Sequence, residues 1–276
     1  MRIALAQMEP TLGDVEANLA RMRELTGEAA AAGADLVVFP ELATHGYALG
    51  RVAPGLAIRR DDPRLLALSL DGADVLATFH EDAGVRAHNA AAYLSAGKAV
   101  HVQRKLYLPT YLVWEERKHS SPGHSLRAFD TRHGRAAVLI CNDAWQPPLP
   151  WLAAHDGAEL LLVPVNSAAD LSESVDTIGY WARLLEQIAR MQECWVVFVN
   201  RVGTEAGARF WGASRIVDPR GEVVTQAPLW EPGLVVAEID PGAANRRRRE
   251  LPLLAEARLG LVARELERLI AEGGDA

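Results

Sequence analysis

The stretch Leu36-Val-Val-Phe-Pro-Glu-Leu42 sets an unbroken apolar run against a proline and a carboxylate. A run this short, rich in β-branched residues and closed by proline, reads as a strand buried on both faces. Upstream, residues 3–8 read as another short buried strand. Between the two, Asp14 fits an N-cap for a helix over about 15–32, with Val15, Leu19, Met22 and Leu25 on one face and Gly33 as the stop. A β-α-β opening of this kind implies a layered α/β fold. Glu41 then lies just beyond the carboxyl end of the second strand, the edge where such sheets bind ligands, and Pro40 fixes the chain's exit.

After a loop rich in glycine, proline and charge over 46–63, the pattern predicts strands at 74–80, 86–94, 99–106, 125–130 and 136–140, joined by glycine-containing turns. Pro147-Pro148 suits the first turn of a helix over 149–156, followed by a buried strand at 160–165 and a long helix at 173–193. Strands are expected at 195–200, 210–217, 222–226 and 234–239, and leucines at helical spacing predict a C-terminal helix over 250–272. No linker, repeat or low-complexity segment divides the chain, so one domain is expected, with many strands in two sheets and helices over the outer faces.

Composition narrows the function. At 276 residues, 49% hydrophobic and 24% charged, the chain has the make-up of a globular domain. A net charge of −7 argues against nucleic acid as a partner, and Arg246–Arg249 reads instead as a solvated or subunit-bridging patch. The amino-terminal apolar stretch is too short for a signal peptide, and no run approaches the roughly eighteen apolar residues that span a bilayer. No membrane partner is expected, and the expected location is the cytoplasm. Two cysteines make no disulfide framework and fit a reducing compartment. The eight histidines show no metal-binding spacing, so no metal is expected.

Three residues stand out chemically. Cys141 ends the apolar run Ala136-Ala-Val-Leu-Ile140 and opens Asn142-Asp-Ala-Trp145, which places a thiol where the chain leaves a buried strand. Cys194, within Glu193-Cys-Trp-Val-Val197, reads as a small buried hydrophobe. Lys105, in Val102-Gln-Arg-Lys-Leu-Tyr-Leu108, falls on the face opposite Arg104, and an inward lysine needs a carboxylate. Glu41 is the third, a carboxylate at a similar strand end; Glu115 and Glu116, in Trp114-Glu-Glu-Arg-Lys118, read alone as a solvated charge run.

Taken in order, several segments resemble the nitrilase superfamily of carbon–nitrogen hydrolases, in its amidase-like branch. They are Phe39-Pro-Glu-Leu42, Arg104-Lys-Leu-Tyr-Leu-Pro-Thr-Tyr111, Trp114-Glu-Glu116 with Ser121-Pro-Gly123, and Leu139-Ile-Cys-Asn-Asp-Ala-Trp145. Asn200-Arg-Val-Gly203, Gly212–Gly221 and Ile239-Asp-Pro241 follow in the same order. The resemblance implies a four-layer α-β-β-α sandwich and a catalytic triad of Glu41, Lys105 and Cys141. It implies a further glutamate at Glu116, an oxyanion contact from the Asn142 backbone N–H, no cofactor, and a small-molecule amide as substrate. His119 and Ser120 replace the family's usual aromatic pair, which points to an altered pocket wall; Tyr47, Tyr111, Trp114, Trp145 and Asn166 are the candidates for that wall.

The Cys-x-Asp-x-Trp segment, with Leu-Pro-Thr-Tyr upstream, is similar to the glutaminase domain of glutamine-dependent NAD synthetases, whose synthetase half is not expected here. Cys-Asn-Asp also resembles N-carbamoyl amino acid amidohydrolases, which continue with arginines where Ala144-Trp145 stand. The expected activity is an amidase; a carbamoyl or ureido hydrolase, a nitrilase, an acyl transferase and a silent binding module are the alternatives. Homo-oligomers, dimeric or larger, are usual in the resembling family, with 240–276 as a candidate docking extension.

Overall fold

The computed structural model describes residues 1–52, 55–70, 72–111, 114–169 and 176–274. The first half runs β1 (Arg2–Gln7), α1 (Val15–Ala31), β2 (Leu36–Val38), α2 (Pro63–Leu66), β3 (Asp74–Asp82), β4 (Ala87–Ser95) and β5 (Lys98–Arg104). The second runs β6 (Phe129–Thr131), β7 (Gly134–Val138), α3 (Pro148–His155), β8 (Leu160–Val165), β9 (Ala168–Ala169), α4 (Thr177–Gln192) and β10 (Trp195–Asn200). Then come β11 (Val202–Glu205), β12 (Ala208–Trp211), β13 (Arg215–Val217), β14 (Val223–Gln226), β15 (Gly233–Glu238), α5 (Gly242–Glu250) and α6 (Leu259–Ala271).

Two six-stranded sheets result, ordered β15-β1-β2-β3-β4-β5 and β14-β13-β10-β8-β7-β6. Each has three parallel strands at its centre: Ile3 lies beside Leu36 and Leu36 beside Asp74 in one, Ala136 beside Leu160 and Leu160 beside Trp195 in the other. The two-residue side-chain period decides the layering. Ile3, Leu5, Leu36 and Val38 meet Val138, Ile140, Leu162, Val197 and Val199 between the sheets. The alternate residues Ala4, Ala6, Val37 and Phe39 turn to Leu19, Met22 and Leu25 of α1, and Leu161, Val163, Val196 and Phe198 turn to Trp181, Leu185 and Ile188 of α4. Small alanines on β1 let the helix approach closely. The molecule is therefore a single α-β-β-α sandwich.

Three expectations need correction. The strand expected at 210–217 is two strands in different sheets, because Gly212 and Ala213 both take positive φ, +70° and +48°. A Cβ on Gly212 would lie 2.6 Å from Gln7 Nε2, so only glycine fits that corner. The helix expected over 250–272 begins only at Leu259, as α6: α5 ends at Glu250, and Pro252 cannot donate an N–H and holds Leu251 out of helical geometry. Of the strand expected at 125–130, only Phe129 and Asp130 pair, in β6, which runs on to Thr131. The first three residues of the helix expected at 173–193 lie outside the described residues; the helix observed is Thr177–Gln192, capped by Asp176 accepting from Gly179 N. Helix α6 buries none of its residues, and Leu259, Leu266, Leu269 and Ile270 remain exposed.

No helix among the described residues is long and apolar enough to cross a membrane.

Candidate active site

The site forms where several strands run out at their carboxyl ends. Glu41 follows β2, Lys105 follows β5, Cys141 lies three residues past β7, and Asn166 follows β8. Lys105 is one residue beyond the strand in which it was expected, with its N–H donating to Asn89 O at 2.8 Å. Its side chain still leaves on the face opposite Arg104, whose guanidinium pairs with Glu81 at 2.6 Å.

The ammonium of Lys105 is 0% exposed and sits between two carboxylates, 2.7 Å from Glu41 Oε1 and 2.6 Å from Glu116 Oε1. Glu116 is thus buried and structural to the centre, and not the solvated charge that its surroundings in sequence suggested. Glu41 Oε1 also accepts from Asn89 Nδ2 at 2.7 Å, and Oε2 accepts from the Asn166 backbone N–H at 2.9 Å. Tyr47 donates its hydroxyl to Glu116 Oε1 at 2.5 Å. Burial opposes the Lys105 charge, but the Glu116 and Glu41 carboxylates hold its pKa well above the ordinary value. Burial pushes the Glu116 carboxyl up to about 7 against the pull of Lys105, and it raises the Tyr47 phenol as well.

Cys141 opens a short 3₁₀ turn, Cys141–Trp145, with φ of +50°. A β-carbon in that region costs roughly 1–3 kcal/mol, and such strain persists only where surrounding contacts impose it. Those contacts come from Asp143. Its carboxylate accepts from the backbone N–H groups of Ile140, Leu106 and Tyr107 at 3.2, 3.0 and 2.8 Å, which ties the thiol's turn to the segment after Lys105. Burial pushes Asp143 up to about 7 despite those bonds. Cys141 is partly buried, and burial followed by the Glu41 charge raises its pKa well above that of a free thiol, with Lys105 and the Asn166 N–H pulling the other way. Burial and the neighbouring negative charge thus favour the protonated thiol. The Asn142 N–H lies in the first turn of the 3₁₀ segment, where N–H groups lack intrahelical acceptors.

The expected wall residues divide. Tyr47 and Trp114 meet edge-on at 5.0 Å and line, with Glu116 and Asn89, a cavity of about 350 Å³. Tyr111 is half exposed, its hydroxyl 3.5 Å from Asn142 Oδ1. The Asn166 side chain is buried, and its amide N and O have no hydrogen-bond partner among the described residues. Trp145 lies in another groove, stacked on Tyr180 at 5.4 Å beside α3 and α4. Asn89, Asp143 and Glu205 were not singled out in the sequence. An asparagine inside the alanine-rich strand Ala87–Ser95 was the available signal for the first, and a carboxylate two residues past Cys141 for the second.

The model of the carbon–nitrogen hydrolase family matches residues 2–249. The chain belongs to that family. Among its relatives is a glutamine-dependent NAD(+) synthetase of Thermotoga maritima, 32% identical over 247 residues, covering 87% of this chain and 42% of the synthetase. The chain thus spans less than half the length of that relative. A citrullinase of Francisella tularensis is 28% identical and covers 89% of this chain and 92% of its own length. The crystal structure of a carbon–nitrogen hydrolase from Helicobacter pylori superposes with a TM-score of 0.87 at 23% identity, over 96% of this chain and 98% of that one, and shows the same fold.

Proposed function

We propose that this member of the carbon–nitrogen hydrolase family is a thiol amidohydrolase, cleaving the C–N bond of a small carboxamide through a thioester on Cys141. The observation that carries the reading is the buried ammonium of Lys105, clamped by Glu41 and Glu116 beside a thiol on a positive-φ turn. Because the thiol's pKa is raised, it needs proton removal as it attacks, and Glu41 is the base at hand. The Cys141 sulfur adds to the amide carbon, its proton passes to Glu41, and negative charge collects on the former carbonyl oxygen. The Lys105 ammonium and the Asn142 N–H stabilise that oxyanion. Glu41 returns the proton to the leaving nitrogen, the C–N bond breaks, and ammonia or an amine departs from a thioester. Water, deprotonated by Glu41, adds to the thioester; the sulfur leaves, regains a proton and frees the acid. Glu116 keeps Lys105 aimed at the oxyanion position, and Tyr47 fixes Glu116. Tyr47, Trp114 and the Asn166 amide, which has no partner among the described residues, would contact the substrate.

A ureido substrate is the second reading, favoured by the near full-length likeness to a citrullinase. The test is ammonia release from a panel of carboxamides, glutamine, ureido and N-carbamoyl amino acids, and nitriles, with Cys141→Ala as control. Release from one class that disappears in the variant supports the reading and names the substrate. Release that persists in Cys141→Ala refutes it.

A further inference from the structure

Strands β9, β11 and β12 form a separate three-stranded sheet that the proposed reaction leaves without a task. Glu205 ends β11 and reaches the wall of the cavity beside Glu116. Its Oε1 accepts from two successive backbone N–H groups, Tyr47 at 2.8 Å and Ala48 at 2.7 Å. Its Oε2 accepts from Arg201 Nη1 at 2.7 Å. Arg201 is 1% exposed, lies over the Phe210 ring at 4.3 Å and donates to Pro10 O at 3.3 Å. The loop is shaped to receive this carboxylate. Gly46 has φ of +78°, and a Cβ there would stand 2.7 Å from Glu205 Oε2 and 2.9 Å from Leu12 Cα.

A buried ion pair is seldom worth more to stability than an apolar pair of the same size. What an apolar pair could not do is hold two converging N–H groups on one oxygen. One of those N–H groups is that of Tyr47, whose hydroxyl lies 2.5 Å from Glu116 Oε1, the oxygen that also accepts from Lys105 at 2.6 Å; the other is that of Ala48, next to it. We propose that Glu205 is a positioning residue: anchored by Arg201, it sets the Tyr47 loop so that Tyr47 holds Glu116, and through it the Lys105 ammonium, in register with Cys141. The small sheet is then the support of one wall of the site. The assignment rests on the amidohydrolase reading above.

The test is a double-mutant cycle of Glu205→Gln and Tyr47→Phe, read by the rate of Cys141 alkylation with iodoacetamide and by turnover of whichever panel amide the wild type accepts. Alkylation reports the charges around the sulfur without a substrate, and melting temperature separates loss of fold from loss of register. Each single variant is expected to change the alkylation rate by about threefold to tenfold, and the double variant to differ from Tyr47→Phe by less than about twofold. Effects that multiply in the double variant, or a Glu205→Gln protein that alkylates and turns over as wild type, overturn the proposal. Should Glu205→Gln fail to fold, Glu205→Asp keeps the charge near Arg201 while shortening the reach to the two N–H groups, and the same two outcomes decide. A wild-type Cys141 inert to iodoacetamide and without turnover defeats the amidohydrolase reading itself, and the positioning role with it. A reactive wild type with multiplying effects defeats only the positioning role.

Discussion

Replacing Lys105 with methionine keeps the length of the side chain and removes its charge, leaving Glu41 and Glu116 facing each other in a buried site. Both contacts are short, 2.7 and 2.6 Å, and neither Lys105 nor Glu41 is exposed. Removing one partner from a buried ion pair costs about 3–5 kcal/mol, because the remaining charge is left without compensation. The pH dependence of that loss is more diagnostic than its size. In the wild type Glu116 titrates at about 7, above an ordinary glutamate, so the folded state holds the proton more firmly and stability falls as pH rises towards 7, then levels. Lys105 is what lowers that pKa, so Lys105→Met raises it further and its stability keeps falling beyond pH 7. For each pH unit by which the titration moves up, the gap between the two proteins widens by about 1.4 kcal/mol between pH 6 and the alkaline plateau. Urea denaturation of both proteins at half-unit steps from pH 6 to 8.5 measures it. A gap below about 1 kcal/mol that does not vary with pH would refute a buried, carboxylate-clamped ammonium. Turnover of the variant is expected to fall on the order of a hundredfold or more, as for a lost oxyanion donor.

Other outcomes follow from neighbouring contacts. Asp143→Ala strips the acceptor from three backbone N–H groups and is expected to cost about 2–4 kcal/mol in urea denaturation and to slow Cys141 alkylation. Tyr47→Phe removes a hydrogen bond that lowers the Glu116 pKa, so the acid limb of kcat/KM is expected to move to higher pH; an unmoved limb contradicts that link. Glu193 takes φ of +50° at the end of α4 and buries both carboxylate oxygens without a hydrogen-bond partner among the described residues. Glu193→Gly is therefore expected to raise stability by about 1 kcal/mol, and a loss would show that Arg247 and Arg248 compensate the carboxylate.

What the sequence revealed and what it hid divide along physical lines. The strand Leu36–Val38 and the exit at Pro40 were legible because a short apolar run closed by proline has few other readings, and this placed Glu41 on the correct edge. Cys141 and Lys105 were found the same way, from residue types that sit poorly at the ends of apolar strands. Glu116 was not legible from its surroundings, since a glutamate between charged neighbours shows nothing of the lysine that folding brings against it; the family resemblance pointed to it. Glu205, and Asp143 in its contacts with Leu106 and Tyr107, act on backbone N–H groups distant in sequence, contacts that a residue's neighbours along the chain do not show. Ahead of α6, leucine periodicity continues through Pro252, so the pattern alone overstates the helix at its start.

The central claim is that Cys141 carries the acyl group. Rapid quenching of the wild type with an amide that it turns over, followed by intact-mass and peptide analysis, measures this directly. The expected result is a mass gain equal to the acyl group, located on Cys141, discharged by hydroxylamine and absent with turnover in Cys141→Ala. Sustained turnover in Cys141→Ala, or an acyl group on any other residue, would contradict it.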